Sequence, residues 1–138
     1  MRTIFTEDKE NEIFTRVYER VIEQFPTIEM DTSYQVIPSK FPHVSLYQMD
    51  SYTPRDKMDN AVHPKYVAIT FEAQVYANHV KTKKTQAKKI MAIINDVMEE
   101  MNFRRIILTP TPNLNDASIY RLTARFEGMA DANYFYGR

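Results

Sequence analysis

From Glu10 to Phe25 the apolar residues Ile13, Phe14, Val17, Tyr18, Val21, Ile22 and Phe25 recur every three or four positions. This spacing predicts a helix with one continuous apolar stripe, stopped by Pro26. Thr6 or Asp8 is expected to cap its start, and Glu7, Asp8, Glu10 and Glu12 carry the sign that a helix N-terminus favours. Ser33 to Ile37 then predicts a short strand, and Pro38 and Pro42 confine the residues beyond it to a turn or a sheet edge. His43 to Tyr52 predicts a longer strand around Val44, Leu46, Tyr47 and Met49. Thr53 to Pro64 is polar and bracketed by prolines, the composition of an exposed, mobile loop.

Tyr66 to Ala77 alternates cleanly. Val67, Ile69, Phe71, Ala73 and Val75 fall on one face, with Thr70, Glu72 and Gln74 on the other, which predicts a strand with one side in the core. Ala87, Ile90, Met91, Ile94, Val97, Met98 and Met101 mark a second amphipathic helix from about Thr85 to Met101, with Asn102 placed to stop it. Phe103 to Leu108 and Ser118 to Met129 predict two further strands around a Pro110-to-Asp116 turn. In the second, Tyr120, Leu122, Ala124 and Phe126 alternate with Arg121, Thr123, Arg125 and Glu127. Two helices on one face of a mostly antiparallel sheet bury all these apolar surfaces together, so the predicted class is α+β. The other face, carrying Glu72, Gln74, Arg121 and Arg125, is left for solvent or a partner.

Composition narrows the function. With 138 residues there is room for one domain over 1–138, able to bury roughly two-thirds of the surface of its unfolded chain. Lys+Arg and Asp+Glu are both 18, so any electrostatic recognition is local rather than global. No cysteine is present, which removes disulfides, thiolate metal sites and thiol nucleophiles and suits a reducing compartment. The N-terminus has no signal-peptide pattern and no stretch reaches transmembrane length, so the expected setting is the cytoplasm. Only Gly128 and Gly137 are glycines, and a phosphate-cradling loop needs several early in a strand-to-helix turn.

Catalytic and metal chemistry find little support. His43, His63 and His79 have no ligand-like spacing. Asp50, Asp56 and Asp59 lack the glycine and terminal glutamate of a calcium loop. Ser39, Ser45, Ser51 and Ser118 lie in no nucleophile elbow, and the sequence pairs none of them with a histidine. The expectation is a non-enzyme with no cofactor and no metal.

Two features stand out instead. Lys81, Lys83, Lys84, Lys88 and Lys89 crowd the start of the second helix, where cations oppose the helix dipole at about 0.3–1 kcal/mol each, while Asp96, Glu99 and Glu100 sit at its equally unsuited end. Such opposed ends suit an acidic neighbour or nucleic-acid phosphate at one end and a basic patch of another copy at the other; head-to-tail contacts of that kind make rings or filaments. Tyr134, Phe135 and Tyr136 form an aromatic tail that packs on its own domain or anchors a neighbour.

The segments Tyr66-Val-Ala-Ile-Thr-Phe-Glu-Ala-Gln-Val-Tyr-Ala-Asn78, Ile90-Met-Ala-Ile-Ile-Asn-Asp96, Pro110-Thr-Pro-Asn-Leu-Asn-Asp-Ala-Ser-Ile-Tyr-Arg-Leu122 and Arg125-Phe-Glu-Gly128 together resemble the small neck and tail-completion proteins of bacteriophages and prophages, most of all the tail terminators. The resemblance runs from about Phe41 to the C-terminus and rests on pattern, without an invariant catalytic motif. It implies a structural protein that forms a homo-hexameric ring on the tail tube in the host cytoplasm, ends polymerisation of the major tail tube protein and joins the tail to the head-closure part of the virion neck. DNA passes through such a ring without sequence-specific binding, and no membrane is involved. On chemistry alone, Lys81, Lys83, Lys84, Lys88, Lys89, Arg121, Arg125, Tyr134 and Tyr136 are the interface candidates. A head-closure or adaptor ring, and a small nucleic-acid-binding domain using Lys81 to Lys89, are the alternatives.

Overall fold

The structure, a computed structural model, describes residues 5–33, 37–52, 67–113, 116–130 and 135–136. In chain order these form α1 (Phe5–Gln24), β1 (Glu29–Asp31), β2 (His43–Tyr52), β3 (Val67–Ala77), α2 (Lys83–Glu100), β4 (Arg104–Pro110), β5 (Tyr120–Ala130) and β6 (Phe135–Tyr136). The strands lie in the order β1-β2-β3-β5-β4, and β6 pairs with the end of β5. β1 runs parallel to β2; every other described pairing is antiparallel. The class is α+β, as the alternation of helical and strand periods predicts.

Register explains where the core sits. Val44, Val75 and Leu122 are partners across three strands, as are Leu46, Ala73 and Ala124, so these side chains share one face. That face forms one buried cluster with Ile13, Val17 and Val21 of α1 and Ile90, Met91, Ile94, Val97 and Met98 of α2. Both helices therefore cover the same side of the sheet. Glu10 of α1 also reaches β2, where its Oε2 accepts the backbone N–H of Gln48 at 2.8 Å beside the irregularity between Gln48 and Asp50.

The exit from α2 is locally determined. Asn102 has φ 66°, the left-handed conformation that asparagine tolerates better than most residues. This turns the chain so that the Asn102 N–H reaches the Glu99 carbonyl and the Phe103 N–H reaches the Met98 carbonyl, each at 2.9 Å. Those two bonds close the helix end as a Schellman motif and bring Phe103 back into the core beside Met98. Asn102→Ala is expected to cost about 1 kcal/mol and Asn102→Gly to cost nothing or to stabilise slightly, measured by urea denaturation.

Three expectations are corrected. The short strand is Glu29–Asp31, not Ser33 to Ile37: Ser33 and Ile37 lie in bends, and Tyr34, Gln35 and Val36 are outside the described residues. Parallel pairing with His43, Val44 and Ser45 makes the strand, a tertiary cause invisible in Glu-Met-Asp. Thr6 and Asp8 lie inside α1, so neither caps it. Tyr18 falls at the rim of the apolar stripe, 37% exposed and stacked on Phe14 at 6.1 Å between ring centres. The expected Thr53-to-Pro64 loop, with Asp56, Asp59 and His63, lies outside the described residues.

Candidate assembly interface

On the face away from the helices, alternation brings together His43, Ser45 and Tyr47 of β2, Glu72, Gln74 and Tyr76 of β3, and Arg121, Thr123 and Arg125 of β5. Six of them, Tyr47, Glu72, Gln74, Tyr76, Arg121 and Arg125, form a continuous network, while Thr123 bonds Thr111 at 2.7 Å. Gln74 donates through Nε2 to Glu72 Oε2 at 2.6 Å and to the Tyr47 hydroxyl at 3.2 Å, while its Oε1 accepts Arg121 Nε at 2.5 Å and the Tyr76 hydroxyl at 3.4 Å. Tyr47 donates to Glu72 Oε2, and Arg125 Nε donates to Glu72 Oε1 at 2.9 Å. Burial alone pushes the Glu72 carboxyl upward, but the bonds from Tyr47, Arg125 and Gln74 together outweigh it and hold the carboxyl below its usual range. For Tyr47, burial and the neighbouring Glu72 charge both push the phenol above its ordinary value.

The network gives two interface candidates partners within the chain. Arg121 and Arg125 are partners of Gln74 and Glu72 within the chain, although Arg125 remains 46% exposed. They lie on the face of the sheet away from α2, which carries Lys83, Lys84, Lys88 and Lys89, with Lys81 in the turn before it. Lys81, Lys84, Lys88 and Lys89 are exposed, whereas Lys83 Nζ donates to the Ser118 carbonyl at 3.0 Å. Thr82 precedes the helix without a side-chain cap, and no acidic residue sits in the first turn. The unfavourable charge at this end is therefore real, and Lys84→Glu is expected to raise stability by about 0.3–1 kcal/mol in a thermal melt of the protein at low salt.

The other end of α2 differs from expectation. Glu100 accepts Arg20 Nη1 of α1 at 2.8 Å, and this bond holds the Glu100 carboxyl below its usual range. One of the three acidic groups thus has an intramolecular partner, while Asp96 and Glu99 are exposed. Tyr134 lies outside the described residues. Tyr136 belongs to β6, whose backbone pairs with Met129 and Ala130.

Two features escaped the sequence reading. Ser45 does meet a histidine: Nε2 of His43 lies 3.3 Å from Ser45 Oγ, and Nδ1 lies 3.1 Å from Glu29 Oε1. Ser45 and His43 are two residues apart on one strand and so share a face; their carboxylate partners arrive only with β1. Ser45 Oγ also donates to Asp31 Oδ1 at 3.4 Å. Both Ser45 and His43 are buried, which leaves no approach for a substrate to the hydroxyl. The group acts as a polar clamp between β1 and β2. Among the described residues no cluster of histidine and carboxylate is arranged to hold a metal.

The second feature is β4. All seven of its residues are exposed, including Ile106, Ile107 and Leu108 at 48%, 44% and 43%. β4 pairs with β5 on one side, and no described strand pairs with its other edge. Between β4 and α2 runs a groove of about 470 Å³ lined by Lys88, Met91, Arg105, Leu108, Tyr120 and Leu122, among others. An exposed, apolar sheet edge invites another strand.

Fold and surfaces together define an α+β protein with a hydrogen-bonded polar sheet face and, among the described residues, an exposed apolar edge. No protein-family model matches the chain, and no curated protein matches it either. No helix among the described residues is long and apolar enough to cross a membrane.

Proposed function

We propose that the protein is a ring-forming assembly component of a bacteriophage neck, most simply a tail terminator. In this role it caps the tail tube, ends addition of tube subunits and presents its opposite face to the head-closure protein, with DNA passing through the ring. The observation that carries the reading is β4: a seven-residue edge strand whose large apolar side chains are exposed in the single chain is a surface suited to another polypeptide. The exposed cationic start of α2 adds a second contact of defined sign. Burial of Ser45 beside His43 supports a structural role over a hydrolytic one.

Negative-stain electron microscopy of the purified protein tests this. Annular particles with a central opening are the expected result; a uniform field of particles the size of one chain contradicts it. The exposed lysines favour one further reading, backbone contact with nucleic acid, which predicts DNA affinity falling steeply as salt rises.

A further inference from the structure

The two edges of the sheet carry opposite charge. β4 begins with Arg104 and Arg105, both exposed, and the Arg104 side chain is 71% exposed with a long contact of 3.8 Å to Glu127. β1, at the far edge, contributes Glu29 and Asp31 in three residues; their side chains remain 37% and 35% exposed although Glu29 contacts His43 and Asp31 contacts His43, Ser45 and the Ser33 N–H. We propose that β4 of one copy pairs with β1 of a second copy, so that the sheet continues from subunit to subunit with Arg104 set against Glu29 and Asp31 on the polar face and Arg105 on the helix face beside Met30. This deepens the ring reading and rests on it.

Strand direction supports the pairing. β1 and β2 run one way, β3 the other, β5 with β2, and β4 with β3. β4 and β1 are therefore antiparallel, and a neighbour generated by rotation about an axis along the strands presents its β1 antiparallel to β4, the commoner pairing. Faces match as well. Glu29 and Asp31 lie on the polar face with His43 and Ser45, where Arg104 and Ile107 also point, while Met30 lies on the helix face with Arg105 and Leu108. The contact joins two different surfaces, so it repeats head to tail and closes into a ring when the rotation allows. A β4-to-β4 contact would set Arg-Arg against its own copy or leave it unpaired.

The test uses R104E/R105E and E29K/D31K in the full chain, with association followed by light scattering after size exclusion. Each variant alone is expected to associate roughly tenfold or more weakly than the wild type while keeping its circular dichroism spectrum. Mixed in equal amounts, they are expected to recover assembly, because every Glu-bearing β4 then meets a Lys-bearing β1 and the native edges meet each other. E29Q/D31N, which keeps hydrogen-bonding groups beside His43 and Ser45, is expected to weaken assembly and flatten its salt dependence; it carries the test should E29K/D31K fail to fold. Wild-type rings untouched by either reversal overturn this pairing and leave the ring reading standing. Loss of assembly in R104E/R105E alone, with E29K/D31K and E29Q/D31N unaffected, overturns it in favour of a β4-to-β4 contact. A wild type that stays monomeric at every concentration removes both.

Discussion

Glu72→Ala is expected to lower stability by about 3 kcal/mol in urea denaturation at neutral pH. Glu72 is 6% exposed and receives bonds from Tyr47, Gln74 and Arg125. The Arg125 pair contributes least, because Arg125 is nearly half exposed and water screens it. The loss comes from Gln74 and Tyr47, which are left with donors aimed at an empty position; bonds to a charged acceptor are worth about 1.5–3 kcal/mol each. The pH dependence comes from the sign of the shift. Since the folded protein holds the Glu72 carboxyl below its usual range, its contribution is present above the unfolded-state value of about 4.3 and is lost as pH falls through the lower folded value. Glu72→Gln should therefore flatten the acid limb of the stability curve. An acid limb identical to the wild type's would show that the carboxylate is not stabilised by this network.

The second large effect is expected at Gly128, on the helix face of β5 opposite Ile69. A Cβ there would lie 2.8 Å from Phe103 Cδ2 and 2.9 Å from its Cγ. The ring has no easy escape: it is buried, stands edge-on to Phe71 at 5.7 Å, and its backbone is tied to Met98 by the helix-closing bond. Gly128→Ala is thus expected to cost about 1–3 kcal/mol through overpacking. Phe103→Leu shortens the obstructing group, so the double variant G128A/F103L should be less destabilised than the sum of the two single changes. Strict additivity would mean that the two residues do not compete for the same space.

These two sites also show how far the sequence reaches. Period locates α1, α2, β3 and β5, because each has an apolar set that only one geometry places on a single face, whereas β2 and β4 are read from their composition and length. It also places Glu72, Gln74, Arg121 and Arg125 together on the far face. Their hydrogen bonding is not legible, since Tyr47 reaches Glu72 only through the register of β2 against β3. Likewise, Asn102 is readable as a helix stop, whereas the need for Gly128 arises from a ring folded back from the other side of that stop.

β1 and β4 are the harder cases for opposite reasons. Glu29-Met30-Asp31 has no strand pattern and becomes a strand through its neighbour. Arg104 to Leu108 has a strand's composition, which suggests burial, yet its apolar residues are exposed because it lies at the sheet edge. Edge position is a property of topology, and it turns an ordinary strand into a candidate interface. The five lysines at and just before the start of α2 are legible as an electrostatic anomaly, and the structure keeps four of them exposed: Lys81, Lys84, Lys88 and Lys89. Arg121 and Arg125, the other charged interface candidates, lie on the polar face as their alternation predicts, bonded there to Gln74 and Glu72.

Self-assembly into a closed ring is tested most directly by native mass spectrometry of the purified chain over a range of protein and salt concentrations. The predicted result is one dominant closed oligomer, larger than a dimer, that dissociates as salt rises. A monomer throughout, or a stable dimer that no concentration enlarges, would contradict it.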